Sequence, residues 1–431
     1  MNDDMNIGLK LFAGIVAILV VQPILAWNNP NLYLFVGAVV GINQALETFS
    51  KGLRPRQFIG YGLALVFFSV GVLGPLVSGR AIHDRHRFFG IPLMAERTEL
   101  PPIDESTVPV VPREVAIAVM NRMLNDQGLS ERYGIGAPVK QLLHQRLVWA
   151  APLESRGFLA SLRGTPVPGY ALVDANDVRN ARLVPVDIQV SDRSLFGLDS
   201  RVWFRHPTFD VYGWYFELDD TGRPHWIGIL AHRTVGFRGY AVLGAVAIDV
   251  TTGAQRVYAL NDVPRWVNNK FPMEMVARQL NAAGDEAGGV FSFSDRGKFE
   301  LSSPLSMVYF NDRAWYEAAL SDLDDELGIR EVVLVNTEDK TIRRVWLPGL
   351  TDDQASAVLA AHGPTPGLRT STPVLLDVDS RPAYIASLYD SLGNIQAYGI
   401  VSETDDRVFA VGKTLHEARE RFDDAVPSVE H

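Results

Sequence analysis

Four residue runs come nearest to recognisable chemistry. Gly412-Lys413-Thr414 precedes a helix-forming run. A phosphate-binding loop needs a second glycine five positions before Gly412, where this chain has Arg407, so the run reads as a turn and a helix cap. His83, Asp84 and His86 stand together in IHDRHR, and two histidines at that spacing could share a metal. No third ligand is near them, and flanking arginines favour interfacial polar residues. DLDDELG (Asp322 to Gly328) has a calcium-loop flavour, but Leu327 occupies the place of the required glycine. Asp219 and Asp220 are adjacent and so point to different sides, whereas paired acid–base carboxylates must converge. They read as turn residues, with Gly222. Neither a G-x-S-x-G elbow nor an H-E-x-x-H helix occurs. A serine–histidine pair drawn from distant segments stays open, because triads are geometric. The absence of cysteine excludes disulfides, thiolate metal sites and cysteine nucleophiles. No metal or cofactor is expected and no catalysis is evident. Trp266, in the polar context NDVPRWVNN, is the candidate contact residue, since tryptophan is enriched in binding hot spots.

These residues must be positioned by a chain of 431 residues with a net charge of −10. The first eighty residues hold five basic and three acidic residues, a balance of +2, which leaves −12 on the remainder. An acidic soluble part argues against nucleic acid as a partner. The first eighty residues form a membrane region of two to three helices. Leu11 to Trp27 and Phe58 to Ser78 are apolar at spanning length, and Leu32 to Leu46 is a shorter third span or a re-entrant segment. Gln44 and Glu47 lie at the end of that segment. Polar groups in spans usually face protein, so both are candidate contacts with a membrane partner. Lys51, Arg54 and Arg56 mark the second connection as cytoplasmic, which places the carboxyl part outside; Arg80, Arg85 and Arg87 pull the other way.

Residues 81–112 read as a Pro-rich linker, with Glu99 to Pro112 extended. Beyond it, five strand–turn–strand stretches recur: Gly169 to Val184, Trp214 to Leu230, Val246 to Leu260, Glu331 to Leu347 and Pro382 to Val401. Their flanks are rich in Val, Ile, Tyr and Trp, and the pairs Asp249/Gly253 and Asp390/Gly393 mark reversals. Helices are interleaved: one from Pro112, Met273 to Ala283, one capped by Thr351 with Gln354, and one capped by Thr414 with Glu417. Helices dispersed among antiparallel hairpins imply an α+β fold. The expected modules span 113–190, 191–288 and 289–424, followed by a tail at 425–431, each a hairpin pair covered on its apolar face by a helix.

DVTTGAQRVYAL resembles the strand signature of PepSY-type, cystatin-like modules. The order of Pro168 to Ala175, Phe216 to Ile227, Ala247 to Val267 and Arg381 to Val401 resembles a family of bacterial membrane proteins of unassigned function, with little match between Phe291 and Arg330. The resemblance implies tandem cystatin-like modules on the outer face of the membrane that bind or inhibit partners. The expected function is therefore a membrane-anchored, extracytoplasmic protein-binding or scaffolding component of the cell envelope. The alternatives are an accessory subunit of a membrane complex and a hydrolase with a dispersed site. The expected partners are the bilayer, another membrane or envelope protein, and a second copy of the chain.

Overall fold

A computed structural model describes residues 14–78, 96–97, 99–157, 160, 165–190, 197–234, 236–237, 239–285, 298–302, 304–311, 313–323 and 329–425. His83, Asp84, His86 and most of Asp322 to Gly328 lie outside the described residues. The chain divides into two compact units.

The first unit combines the amino-terminal segment with Leu195–Tyr212 and Leu230–Leu243. Residues 14–21 are helical, and the helix stops at Gln22, whose φ is +48°, just before Pro23. Helix α1 (Pro30–Lys51) is a full 22 residues, so the shorter segment expected at Leu32 to Leu46 lies inside it. Helix α2 (Pro55–Ser78) follows. Both are long and apolar enough to cross a membrane, and only 6% of either apolar window is buried, unlike the core helix of a globular protein. They pack through small residues. A Cβ on Gly37 would stand 3.1 Å from the Ala64 carbonyl oxygen, and Gly41, four residues on, faces the Ala64 methyl. This spacing lets two backbones approach closely. The side chain of Asn29 accepts the Asn31 N–H to cap α1 and donates to Asp210, which lies 3.4 Å from the Arg233 guanidinium. Burial holds the Asp210 carboxyl above the usual range even beside that arginine. The Trp203 indole, at the end of a short helix, donates to the Pro23 carbonyl.

The second unit holds four sheets in chain order. Strand β1 (Glu96–Arg97) precedes them and adds a parallel edge to the third. The first sheet contains β2 (Tyr133–Ile135), β3 (Val139–Leu143), β4 (Arg146–Ser155), β5 (Val167–Asp174) and β6 (Ala181–Ile188). The second contains β7 (Asp210–Leu218), β8 (Pro224–His232), β9 (Ala241–Asp249) and β10 (Gln255–Ala259); the ends of three of these strands belong to the first unit. The third contains β11 (Phe299–Leu301), β12 (Ser306–Phe310), β13 (Arg313–Asp322), β14 (Ile329–Asn336) and β15 (Ile342–Gly349). The fourth contains β16 (Arg369–Thr370), β17 (Val374–Asp377), β18 (Pro382–Tyr389), β19 (Ile395–Ser402) and β20 (Phe409–Gly412). Each is an antiparallel meander of neighbouring strands. In three of them the first strand comes in two pieces paired to one partner: β2 and β3 on β4, β11 and β12 on β13, β16 and β17 on β18. First-strand residues of all four sheets line one cavity, which makes the arrangement a four-bladed β-propeller.

This corrects the α+β expectation of tandem cystatin-like modules. The five hairpins are β5–β6, β7–β8, β9–β10, β14–β15 and β18–β19, and they pair onward with further strands into larger sheets, although Leu359 and Phe422 of two helices do pack on the β18–β19 hairpin. The 289–424 segment carries two blades. The physical reason lies in the strands. Leu147 to Leu153 of β4 and Ala314 to Leu320 of β13 are buried at every position. A strand covered by a helix on one face and water on the other would alternate; unbroken burial means both faces are covered, as in stacked blades. Helix α3 (Arg113–Asp126) precedes the first blade, and α4 (Met273–Asp285), α5 (Asp352–Ala361) and α6 (Leu415–Ala425) occur between or after blades.

The Pro-rich stretch is also more than a spacer. Leu100, Val108, Val110 and Val111 are buried. Ile103 N–H donates to the Asp377 carbonyl in blade 4, and Val111 N–H to the Ala175 carbonyl in blade 1, both at 2.8 Å. Prolines suit this strap because it needs few backbone donors. Side chains tie other seams. Gln141 of β3 accepts the Leu218 N–H (2.7 Å) in blade 2, and Glu317 of β13 accepts the Leu375 N–H (2.9 Å) in blade 4. Glu403, at the end of β19, is fully buried, and neither carboxyl oxygen has a hydrogen-bond partner among the described residues.

Two predictions follow from this packing. Gly37→Leu forces α1 from α2 and should lower the thermal midpoint of the detergent-solubilised protein by several degrees; Gly62→Leu, with no atom near its added Cβ, should not. Equal midpoints would remove the small-residue account. Burial raises the Glu403 pKa to about 7. Its contribution to stability is full below the unfolded pKa of about 4.3 and is lost as pH rises through about 7. Urea unfolding from pH 5 to 8 should therefore show a decline that Glu403→Gln reduces by on the order of 3 kcal/mol. An unchanged pH slope in the variant would contradict it.

Candidate functional site: the central cavity

The first strands of the blades enclose a cavity of about 460 Å³, the size of a small-molecule site. Along β3, side chains alternate in direction. Lys140 lines the cavity while Gln141, its neighbour, is buried and bonded to blade 2. Trp149 of β4 is the cross-strand partner of Lys140, and the lysine Nζ stands 5.0 Å over its ring. The Trp149 indole N–H donates to the Val111 carbonyl at 2.9 Å, which pins the strap to this wall. Two residues further, Arg113 opens α3 and lines the same cavity. Blade 2 contributes Tyr215, whose hydroxyl donates to Glu274 in the first turn of α4 at 3.5 Å. Met307 of β12, Val374 of β17 and Tyr389 of β18 add apolar surface.

Beneath Tyr215 runs a buried polar latch. Glu217 of β7 accepts the backbone N–H groups of Asn268 (2.7 Å) and Asn269 (3.0 Å) and the Asn269 side-chain amide (2.9 Å). The Asn268 side chain in turn accepts the Leu142 N–H of β3. The post-β10 loop is thereby locked to blades 1 and 2, and Asn269 is held at the cavity lining. Burial pushes the Glu217 pKa up to about 7 against the pull of these donors.

The electrostatics of the cavity are uneven. Desolvation lowers the Lys140 pKa to about 8, and no attractive partner opposes that shift. Neither Lys140 nor Arg113 has an ion pair or a hydrogen bond among the described residues. The acids are better placed: Glu274 accepts the Tyr215 hydroxyl, and Glu114 sits in the first turn of α3, where the helix dipole favours it. Burial, and then Glu114, raise the Tyr389 pKa. The cavity can therefore hold an anion against Lys140 and the solvent-exposed Arg113, and an apolar body against its aromatic and methionine lining.

The residues singled out in the sequence lie elsewhere. Trp266 is half-buried in the loop after β10, its ring 5.1 Å from that of His225, and is not in the cavity wall. The Gln44 side chain lies against Gly60 of α2, inside the helical hairpin, and Glu47 is one turn further along the same helix. Asp219 Oδ1 accepts the N–H groups of Thr221 and Arg223, with Gly222 at φ +79°, and the Asp220 carbonyl contacts the His144 ring. Asp249 does the same for Thr251 and Thr252, with Gly253 at φ +71°. Asp390 accepts from Leu392 and Asn394, with Gly393 at φ +75°. At the Gly412-Lys413-Thr414 run, the Thr414 hydroxyl accepts the Glu417 N–H and the Glu417 carboxylate accepts the Lys413 N–H. Lys140, Trp149, Arg113, Tyr215 and Glu274 were not singled out. They come from four separate stretches, and the one local signal is a lysine inside the strand run VKQLL.

No protein-family profile matches the chain, and no curated protein matches it. Among solved structures it is similar to the cobalt-substituted oxygenase ACO of Synechocystis, at 7% identity with a TM-score of 0.16 over 62% of this chain and 47% of the other. It is also similar to a mutant sialidase of Trypanosoma rangeli with trans-sialidase activity, at 10% identity and a TM-score of 0.19, over 74% of this chain and 51% of the other. The chain spans about half the length of each of these proteins.

Proposed function

We propose that this protein is a membrane-anchored binding module of the cell envelope, in which a helical hairpin carries a propeller whose central cavity takes a small ligand. The observation that carries this reading is the convergence of all four blades on one cavity in which the Lys140 amine has neither an ion pair nor a hydrogen bond among the described residues. Burial disfavours the charged form of the Lys140 amine, and an anion that pairs with it recovers that cost, while Arg113 stands solvent-exposed at the same cavity. Lys51, Arg54 and Arg56 border the connection between α1 and α2, which by the positive-inside bias lies in the cytoplasm; the chain after α2 then emerges outside. The ligand-loaded module acts on another envelope protein. Gln44 belongs to the internal packing of the hairpin and gives the accessory-subunit reading little support.

Two experiments test this. Single cysteines at Ser391, in an exposed hairpin turn, and at Ser50, at the end of α1, report sidedness in a chain without native cysteine. A membrane-impermeant maleimide should label Ser391→Cys in intact cells and Ser50→Cys only after lysis; the reverse pattern overturns the extracytoplasmic placement. A thermal-shift screen of small molecules on the full chain in detergent should find stabilisers of a few degrees whose effect disappears in Ser306→Trp, which fills the cavity. Shifts that survive Ser306→Trp, or none in the unmodified protein, overturn the cavity as the binding site.

A further inference from the structure

We infer that the ligand of the central cavity is a monocarboxylate with a compact apolar or aromatic body, its carboxylate held between Lys140 and Arg113. The inference rests on the cavity being a binding site and adds the ligand's chemistry. Both cations line the cavity, and a short path links them: Lys140 lies over Trp149, and the Trp149 indole holds the strap at Val111, two residues before Arg113. The lysine amine is thus carried on an aromatic face with its donors unused, and the guanidinium presents a planar fork suited to a carboxylate.

The charge of the anion follows from the rest of the lining. Glu114 and Glu274 also line the cavity, so two acids balance the two bases. A singly charged anion between the bases is favoured, while a second negative charge would meet the two carboxylates. The body follows from the apolar part of the lining, where Met273, Leu305, Met307 and Tyr389 offer apolar and polarizable contact. The volume of about 460 Å³ admits a body of one aromatic ring or a short branched chain.

Competition at the Lys140 amine tests this on the full chain in detergent micelles. Trinitrobenzenesulfonate modifies neutral amines, and the fraction of Lys140 modified is read by peptide mass spectrometry. Three probes are compared: phenylacetate, its neutral analogue phenylacetamide, and the dianion phenyl phosphate. Phenylacetate should slow modification of Lys140 roughly tenfold at saturation, while phenylacetamide slows it less than about twofold. Lys140→Met should abolish the thermal shift caused by phenylacetate, and Lys140→Arg should retain it. Equal protection by phenylacetate and phenylacetamide overturns the carboxylate assignment and leaves the cavity as a binding site. Stronger protection by phenyl phosphate than by phenylacetate overturns the single charge. Absence of protection by phenylacetate overturns the inference outright, whereas the binding role itself falls only if the screen with Ser306→Trp fails. Should Lys140→Met not fold, the protection measured on the unmodified protein still decides.

Discussion

Burial on both faces of every blade is the constraint on which this structure depends. Strands such as β4, β13 and β18 have runs buried at each successive position, so neither face of the sheet tolerates water. A single such sheet is not stable alone, and each blade needs a neighbour on either side. Four blades meet this demand only if the ring closes. The strap from Leu100 to Pro112 supplies that closure, bonding blade 4 through Asp377 and blade 1 through Ala175, and it places buried valines in the seam. The same segment forms part of the cavity wall through Pro109 and Pro112. Ring closure and site assembly are therefore one event.

Polar groups at the seams fix blade register without supplying most of the stabilisation. Gln141 and Glu317 each satisfy a backbone N–H of the next blade, and Glu217 gathers three N–H donors from one loop. A buried donor left unpaired costs about 1–3 kcal/mol, so these contacts penalise any misregistered stack. Glu317 and Glu403 sit near Tyr384, where burial raises both carboxyl pKa values. Neutral carboxyls tolerate that setting better than carboxylates, so blades 3 and 4 are held by a seam whose strength depends on pH.

The first unit obeys a different rule. Helices α1 and α2 are long and apolar enough to cross a membrane, and in a bilayer such surfaces would gain nothing from leaving lipid for each other, so their contact rests on close packing. Gly37, Gly41 and Gly71 provide it: Gly71 lies against the Leu34 side chain, and Gly37 against the backbone at Ala64 and Phe68. Asn29, Asp210 and Arg233 form the polar complement at the start of α1, with Arg233 further stacked on Tyr240.

Features written in adjacent residues are legible in the sequence. The apolar run at Phe58 to Ser78 coincides with α2, whereas the segment read as short at Leu32 to Leu46 extends to the full Pro30–Lys51 helix and the helix within Leu11 to Trp27 stops before Gln22. Turns such as the one at Asp249 are made by bonds to residues two and three positions away, and the Thr351–Gln354 cap is equally local. What covers a hairpin is not local. An apolar strand face looks the same whether a helix or another blade lies on it, and only the unbroken burial of β4 and β13 decides for the blade. The site is less local still, since Arg113, Lys140, Trp149, Tyr215 and Glu274 meet only when the ring closes. The sequence by itself determined an apolar amino-terminal region of two to three helices and a series of reversing strands, because these depend on composition and neighbouring residues; which of its segments reaches membrane length emerged only in the structure. The tertiary structure alone decided that the strands stack as four blades and that a lysine of one blade and the arginine that follows the strap line one cavity, because that follows from long-range packing which no short stretch encodes.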